Sequence, residues 1–436
     1  MKASTAYHMR AQVQCTNGSM SMSPDTTFTT GRLPPSLVFP QMAVSRPNPS
    51  LSPTENPGIE SIDITLGNTP AFFTDRDGNV IWYYDNGPKN FAFPFKLLPN
   101  GHILLNVTNG STTTLREVDL AGNTIREMTN LELQHKMANT GSFDFIPFGF
   151  HHDFMPLPNG HLIALVYVAK DFTDLPGYPG KHQVVGDALV DLDQNWNPVW
   201  GWNTFDHLDI NRHLLGLPDW THSNALIYLP NDGDLLLSIR HQSWIVKIDY
   251  NNGAGNGDLL WHLGYQGDFD LTVAGVPTGE ASEWFSFQHF PILLSQSGSQ
   301  DTLAVWDNGD NRVLDAATDE LCQDPRSGST RPPCYSRATL LQVDESSMVA
   351  NLLWAEPVLY YSTWGGGVEQ FSNGNIEFDS NAMARPPVPD EASQIEEVTG
   401  TSSPEIVWQM AITPSDLNAY RGYRVPSLYS GVTWPY

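Results

Sequence analysis

From residue 70 onward one strand pattern recurs along the chain. A short apolar strand leads into LPNG or a variant, and a second apolar strand follows. A third strand ends in Asp, a Gly/Asn turn comes next, and a fourth strand carries Trp. The first copies read FAFPFKLLPNGHILLNV with LREVDLAGNTIREM, then HHDFMPLPNGHLIALVYV with ALVDLDQNWNPVWGW. THSNALIYLPNDGDLLLSI with IVKIDYNNGAGNGDLLWHL follows, then QHFPILLSQSGSQDTLAVW with ATLLQVDESSMVANLLWAE. TWGGGVEQFSNGNIEF with EIVWQMA is the last. Residues 71–84 hold only the second half of the pattern, and the closing YRGYRVPSLY lacks one. Four antiparallel strands at a fixed period make the blade of a β-propeller. Five copies and two halves predict an all-β, six-bladed β-propeller closed by pairing of N- and C-terminal half-blades, which leaves no bare sheet edge. The PNG and NDG turns are hairpin chemistry, because Asn and Gly tolerate positive φ. Two β-sandwich domains would not account for a repeated turn. Trp82, Trp200, Trp261, Trp354 and Trp408 recur in outer strands and are expected to pack between blades.

Residues 1–57 are rich in Ser, Thr, Pro and Met and show little periodicity. They are read as an N-terminal tail, poorly ordered or extended, ahead of a propeller domain over residues 58–436. The chain carries 22 Lys+Arg against 48 Asp+Glu, a formal net charge of −26. That field repels nucleic acid and anionic membrane, so a general polyanion binder is excluded. An anionic substrate would need a local basic site working against it. No apolar run is long enough to span a bilayer. The opening MKASTAYHMRAQVQC has no continuous apolar stretch, so no signal peptide is expected there. The cysteines are Cys15, Cys322 and Cys334, with no CxxC, so a zinc site is not expected. Cys322 and Cys334 bracket a Pro- and Gly-containing loop. A disulfide in an oxidising compartment and two unrelated thiols both remain open readings.

In a propeller the first strand of each blade lines the central channel. Residues at equivalent positions of different blades therefore gather at one end of it. His152, His222 and His289 open three copies, 70 and 67 residues apart. Taken singly, each could be a buried histidine bonded to backbone; three at blade spacing are harder to explain as packing. Hairpin arithmetic sets Asn224 opposite Arg240, with His222 and Asn224 on one face. It also sets Tyr167 opposite His152, and Trp306 to Gly309 opposite His289. Strand parity favours His152 over His151 as the channel-facing residue, and places His241 against the sheet. Asp307-Asn308-Gly309 reads as a turn shaping the site wall. Tyr167, Tyr361 and Tyr423 are candidates for an aromatic pocket. Neutral imidazole is a nucleophile or general base near pH 7. The arginine fork matches tetrahedral oxyanions. Together they suit transfer of an anionic group with histidine as the covalent way-station. Three histidines also suit a metal. Against a metal, no carboxylate or cysteine stands at the equivalent position of the other blades, and Arg240 would repel a cation. No cofactor is therefore expected.

WTHSNAL, the SIRHQS segment, QHF followed by VWDNGDNR, HHDFMPLPNG and the closing YRGYRVPSLY resemble the bacterial arylsulfate sulfotransferases. The resemblance runs over residues 58–436. It implies a six-bladed propeller that moves a sulfuryl group from an aryl sulfate to a phenolic acceptor, without a nucleotide donor, by a ping-pong route through a sulfohistidine. The absence of GxxxxGK[ST] agrees. Carried over by position, His289 matches the nucleophile, and His222 and Asn224 match residues beside the transferred sulfate. Arg240 matches the sulfate-binding arginine, and His152 the histidine of the HHD motif. His222 or His152 would shuttle the phenol proton. The implied partners are small molecules, and the implied location is periplasmic or secreted. The chain departs from the family in three places. Bacterial members carry an N-terminal β-sandwich that assists dimerisation, for which 57 residues are too few. Members also have a disulfide before the nucleophile strand, whereas Cys322 and Cys334 follow it, and Phe290 and Pro291 are bulky neighbours for His289. The residues also leave two other readings: a non-catalytic propeller that binds a protein or glycan, and a quinone-dependent dehydrogenase on a similar propeller.

Overall fold

Two short turn chemistries, repeated along the chain, set the fold. In the computed structural model the LPNG-type turn is made the same way in three of the blades. Leu98 N–H bonds His102 O (2.8 Å) and Gly101 N–H bonds Leu98 O (2.9 Å), and Leu157–His161 and Phe371–Asn375 repeat the pair. The turn glycines Gly101, Gly160 and Gly374 all have positive φ. The Asp that ends a third strand caps the next turn. Asp119 Oδ1 accepts from Ala121 and Asn123 N–H, and Asp193 Oδ1 accepts from Asn195 and Asn197. Between such turns the strands alternate apolar and polar and must pair.

The structure describes residues 1–436 except 66–68, 359–360, 382, 385–392, 415–416, 418, 430 and 432–436. Six antiparallel sheets ring a central channel. Blade two is Phe91–Leu97, Ile103–Asn109, Thr112–Val118 and Thr124–Thr129. Blade three is Gly149–Pro156, Leu162–Leu175, Tyr178–Leu192 and Pro198–Asn203. Blade four is Ser223–Leu229, Asp234–Ile239, Trp244–Ile248 and Leu259–Leu263. Blade five is His289–Ser297, Gln300–Asp307, Arg337–Asp344 and Val349–Pro357, with Asp270–Val273 added parallel to its outer strand. Blade six is Gly367–Gln370, Ile376–Asn381, Ser393–Val398 and Ile406–Thr413. Strand Gln41–Ser45 pairs with the outermost strand of blade six. Two exposed hairpins, Ala6–Met9 with Thr26–Thr29 and Gln12–Gln14 with Met20–Met22, precede it.

The ring is a six-bladed β-propeller, but blade one does not close by equal halves. Ile59–Ile64, Ala71–Thr74 and Val80–Tyr84 come from the N-terminal side, and the C-terminal Ala419–Val425 supplies only the innermost strand. The strand IESIDI escapes an apolar pattern because it buries Glu60 and Asp63. Arg424 of the closing strand meets Glu60 at 2.6 Å. The outer-strand tryptophans stitch blades together. Indole N–H groups of Trp82, Trp354 and Trp408 donate to Leu120, Thr401 and Arg76 carbonyls of the following blade. In blade three that bond is made by Trp202, to Gly257, while Trp200 packs beside it. Cys322 and Cys334 form a disulfide, their Cα atoms 4.9 Å apart, in a small buried cluster with Tyr361.

Candidate functional site

Bulges, not plain strand parity, aim the histidines. In blade three Phe150 pairs with Val166 and Phe154 with Ala164, so three residues, 151–153, oppose one. In blade four Asn224 is the extra residue between the pairs Ser223–Ile239 and Ala225–Ser238. In blade five the register slips between His289–Trp306 and Ile292–Ala304. His152, His222 and Phe290 sit at φ +40°, +50° and +39° beside these slips. A bulge re-aims side chains, and left-handed non-glycine residues store strain where a surrounding structure holds them.

The result is a cluster of rings at one end of the channel. His152 and His222 have ring centroids 4.6 Å apart, and His222 stacks on His241 at 4.6 Å. Tyr420 bridges the rest, 5.6 Å from His289 and 5.7 Å from His152. Its hydroxyl is buried without a partner among the described residues. Both residues of the HHD motif reach the cluster. His151 and His152 face each other through Nδ1 at 2.9 Å, so one must donate to the other. His151 lies flat on Tyr167 at 3.7 Å, with Nε2 3.3 Å from the Asp187 carboxylate. Asn224 is fully buried; its amide donates to Gln288 O (2.7 Å), and its Oδ1 has no partner. Arg240 lies just past its strand, in a short 3-10 turn, Arg240–Gln242. It donates to Thr363 O (2.9 Å), Asp310 (3.2 Å) and His241 Nε2 (2.7 Å), and leaves its buried Nε–H unpartnered. His241, expected against the sheet, is a wall of the site.

Each end of the His289 ring has a partner. Nδ1 is 2.7 Å from Asn308 Oδ1, and the Gly365 N–H donates to Nε2 at 3.2 Å. Only glycine fits at 365, because φ is +68° and a Cβ would sit 2.2 Å from Asn381 Nδ2. Burial, reinforced by the Arg240 charge, holds His289 well below the ordinary histidine range. Burial and the His222 charge do the same to His152, and bring His151 down to about 3. These rings are neutral imidazoles at physiological pH. His222 keeps more contact with solvent, its side chain 23% exposed, and its Nδ1 is 2.6 Å from Asp219 Oδ2. Burial pushes the Asp219 carboxyl up, but the His222 hydrogen bond and charge outweigh it and hold Asp219 below its ordinary value.

Asp219, His222 and His241 bring three donor atoms within 4.8 Å of one another, close enough to suggest a metal. The hydrogen bonds argue otherwise. His241 donates from Nδ1 to Asp219 O (2.8 Å) and accepts from Arg240 at Nε2, so neither ring nitrogen is free to ligate. The Arg240 guanidinium bonded to His241 would also repel a cation.

Asp219, Gly365 and Tyr420 were not singled out in the sequence as site residues, and Asn308 was read only as part of a turn shaping the site wall opposite His289. Asp219 had one legible signal, an acid three residues before a candidate histidine. Tyr420 did not, since its neighbour Tyr423, 5.8 Å from Phe290, fits an aromatic wall equally well by composition. Tyr361 lies behind the site, its hydroxyl on Asp310. A cavity of 780 Å³ opens on the opposite face, among the LPNG-type turns. Phe290 lines it and stacks on Arg421 at 3.7 Å, and with the Lys96–Asp153 pair (2.5 Å) it plugs the channel beneath the histidines.

The family model described as Arylsulfotransferase (ASST) matches residues 63–424. No curated protein matches the chain. Among solved structures, a Bacteroides caccae protein of unknown function aligns with TM-score 0.46 and 11% identity over 84% of this chain and 98% of its own. A Lactobacillus plantarum protein aligns with TM-score 0.42 and 7% identity over 85% and 100%. The dihydro-heme d1 dehydrogenase NirN aligns with TM-score 0.38 and 12% identity over 88% and 80%. At these scores the likenesses carry no functional weight.

Proposed function

The chain belongs to the arylsulfotransferase family, and from that membership we propose that it transfers a sulfuryl group from an aryl sulfate ester to a phenolic acceptor through a sulfohistidine on His289. The observation that carries this is His289 itself. It is a buried, neutral imidazole whose Nε2 accepts from an N–H donor, so its lone pair lies there, and it lies in one cluster with Arg240 and the His222–Asp219 pair.

Sulfuryl transfer, like phosphoryl transfer, is mostly positioning and charge stabilisation. Arg240, through its unpartnered Nε–H, and Asn224, through its remaining amide hydrogen, hold the sulfuryl oxygens. His289 Nε2 gives up its 3.2 Å hydrogen bond from the Gly365 N–H and attacks sulfur with the freed lone pair, and the bond from sulfur to the aryl oxygen breaks. The leaving oxygen takes a proton from His222 Nε2, while Asp219 stabilises the His222 imidazolium that gives it. In the second half-reaction the acceptor phenol returns that proton to His222. Its oxygen attacks sulfur, and the N–S bond breaks. Donor and acceptor are phenols of pKa about 10, so exchange is near thermoneutral and needs no nucleotide. Substrates enter over His222, the most exposed of the ring cluster's histidines.

The Cys322–Cys334 disulfide favours an oxidising location, periplasmic or secreted. No helix among the described residues is long and apolar enough to cross a membrane. The test is release of nitrophenolate from 4-nitrophenyl sulfate, with and without phenol, in the wild type and His289→Asn. Acceptor-dependent release that disappears in the variant is the expected result. Release independent of acceptor would make the protein a sulfatase. No release with any acceptor would favour a propeller that only binds a protein or glycan.

A further inference from the structure

We propose that Asn308 is the positioning residue that fixes His289 as the Nδ1–H tautomer and keeps that proton on the ring throughout the transfer cycle. The proposal rests on His289 being the nucleophile. The Asn308 amide cannot turn. Its Nδ2 donates to two backbone carbonyls, Ser362 O at 2.8 Å and Gly365 O at 3.1 Å. An amide nitrogen has hydrogens to give and no lone pair to offer, so the atom facing two carbonyls must be Nδ2 and the other must be oxygen. That oxygen is 2.7 Å from His289 Nδ1. Facing an acceptor, Nδ1 must carry the hydrogen, which leaves the lone pair on Nε2. The other end of the ring gives the same answer independently, since Nε2 accepts from the Gly365 N–H. One loop therefore serves both ends: Gly365 O anchors the asparagine, and Gly365 N–H meets the imidazole.

The choice of an amide has a chemical consequence. When Nε2 forms its bond to sulfur and the aryl oxygen leaves with the old bonding pair, the ring becomes a cation with Nδ1 still protonated. A carbonyl oxygen accepts that hydrogen bond but has too little basicity to take the proton. The sulfated ring thus stays an imidazolium, a good leaving group for the second half-reaction. Had Nδ1 lost its proton, the intermediate would be a neutral N-sulfonated imidazole and a poorer donor. Asn308 and His289 are both fully buried, so no water competes for the bond.

The test reads the tautomer directly. Histidine-selective ¹⁵N labelling, with His289→Asn used to assign the signal, reports which ring nitrogen is protonated in the resting protein. The expected result is a proton on Nδ1 in the wild type, and loss of that single tautomer in Asn308→Leu together with a fall in kcat of about a hundredfold or more. A wild-type proton on Nε2 would overturn the proposal, as would a Leu variant with unchanged tautomer and rate. Asn308→Asp keeps an acceptor oxygen and guards against a Leu variant that fails to fold. It is expected to retain the Nδ1–H form but to raise the basicity of His289, so that the acid limb of the kcat profile moves up toward neutral pH. An unmoved profile would count against the assignment. The tautomer is measured without substrate, so a chain that turned over no aryl sulfate would still support or overturn the role of Asn308.

Discussion

Asp219 and His241 flank the same imidazole and prepare it differently. Asp219 faces His222 Nδ1 at 2.6 Å, which on the proposed route leaves Nε2 for the reacting oxygens. His241 lies flat against His222, with both nitrogens bonded, and burial brings it down to about 3, so it stays neutral and steadies Arg240. If His222 is the acid that protonates the leaving phenol, losing Asp219 should matter most where that proton is needed most. Asp219→Asn is expected to lower kcat about a hundredfold for phenyl sulfate. For 4-nitrophenyl sulfate, whose phenolate leaves unaided, the loss should be clearly smaller. The measurement is kcat across a series of aryl sulfates of graded leaving-group pKa. A uniform loss along the series would assign Asp219 a structural role instead.

At the scale of elements, the repeated turns were legible in sequence because their chemistry is local. An Asp accepting from N–H groups two and four residues on, or a Gly at positive φ, needs no distant partner. The bulges were not legible, because they come from pairing with the next strand. One extra residue at Asn224 reverses strand parity, and the slip across residues 151–153 inserts two residues within which alternation breaks down, so parity could not separate His151 from His152. Hairpin arithmetic did set Trp306 to Gly309 opposite His289, but not that Asn308 Oδ1 would meet the ring at Nδ1. The disulfide loop was legible as a pair of cysteines around a turn, but its connection to the site was not. Cys322 and Cys334 pack on Tyr361, whose hydroxyl bonds Asp310, which in turn holds Arg240. Closing a loop of sequence separation 12 should contribute about 3 kcal/mol. Cys322→Ser should therefore lower the urea midpoint, and should raise KM for the sulfate ester more than it lowers kcat. A lowered midpoint with unchanged KM would mean the loop stabilises the fold without reaching Arg240.

The whole ring is closed by one strand, and one guanidinium does much of the closing. Arg424 meets Glu60 of blade one and Glu377 and Glu397 of blade six at 2.5 to 2.6 Å. In blade six Glu369 pairs across from Glu377, and Glu377 across from Glu397, so the half-buried Glu369 and two buried glutamates form a row over adjacent strands. Like charges opposite one another in a sheet repel. Four carboxyls around one cation cannot all be ionised, and protons make up the difference. Burial pushes Glu369 up to about 7 and Glu377 well above the ordinary range, with Arg424 opposing. A carboxyl raised in the folded chain stabilises it fully below the unfolded value and loses that contribution as pH rises through the folded one. Thermal stability should therefore fall as pH rises from the unfolded carboxylate value of about 4.3 to about 7, where Glu369 ionises, and go on falling above that as Glu377 follows. Surface repulsion from the net charge of −26 pushes the same way, but salt screens it, whereas a buried cluster is screened much less. Glu377→Gln removes one titrating member and keeps its shape. The decisive comparison is Tm against pH at high salt: a flatter alkaline slope in the variant places the loss at the closure, and parallel slopes would place it elsewhere.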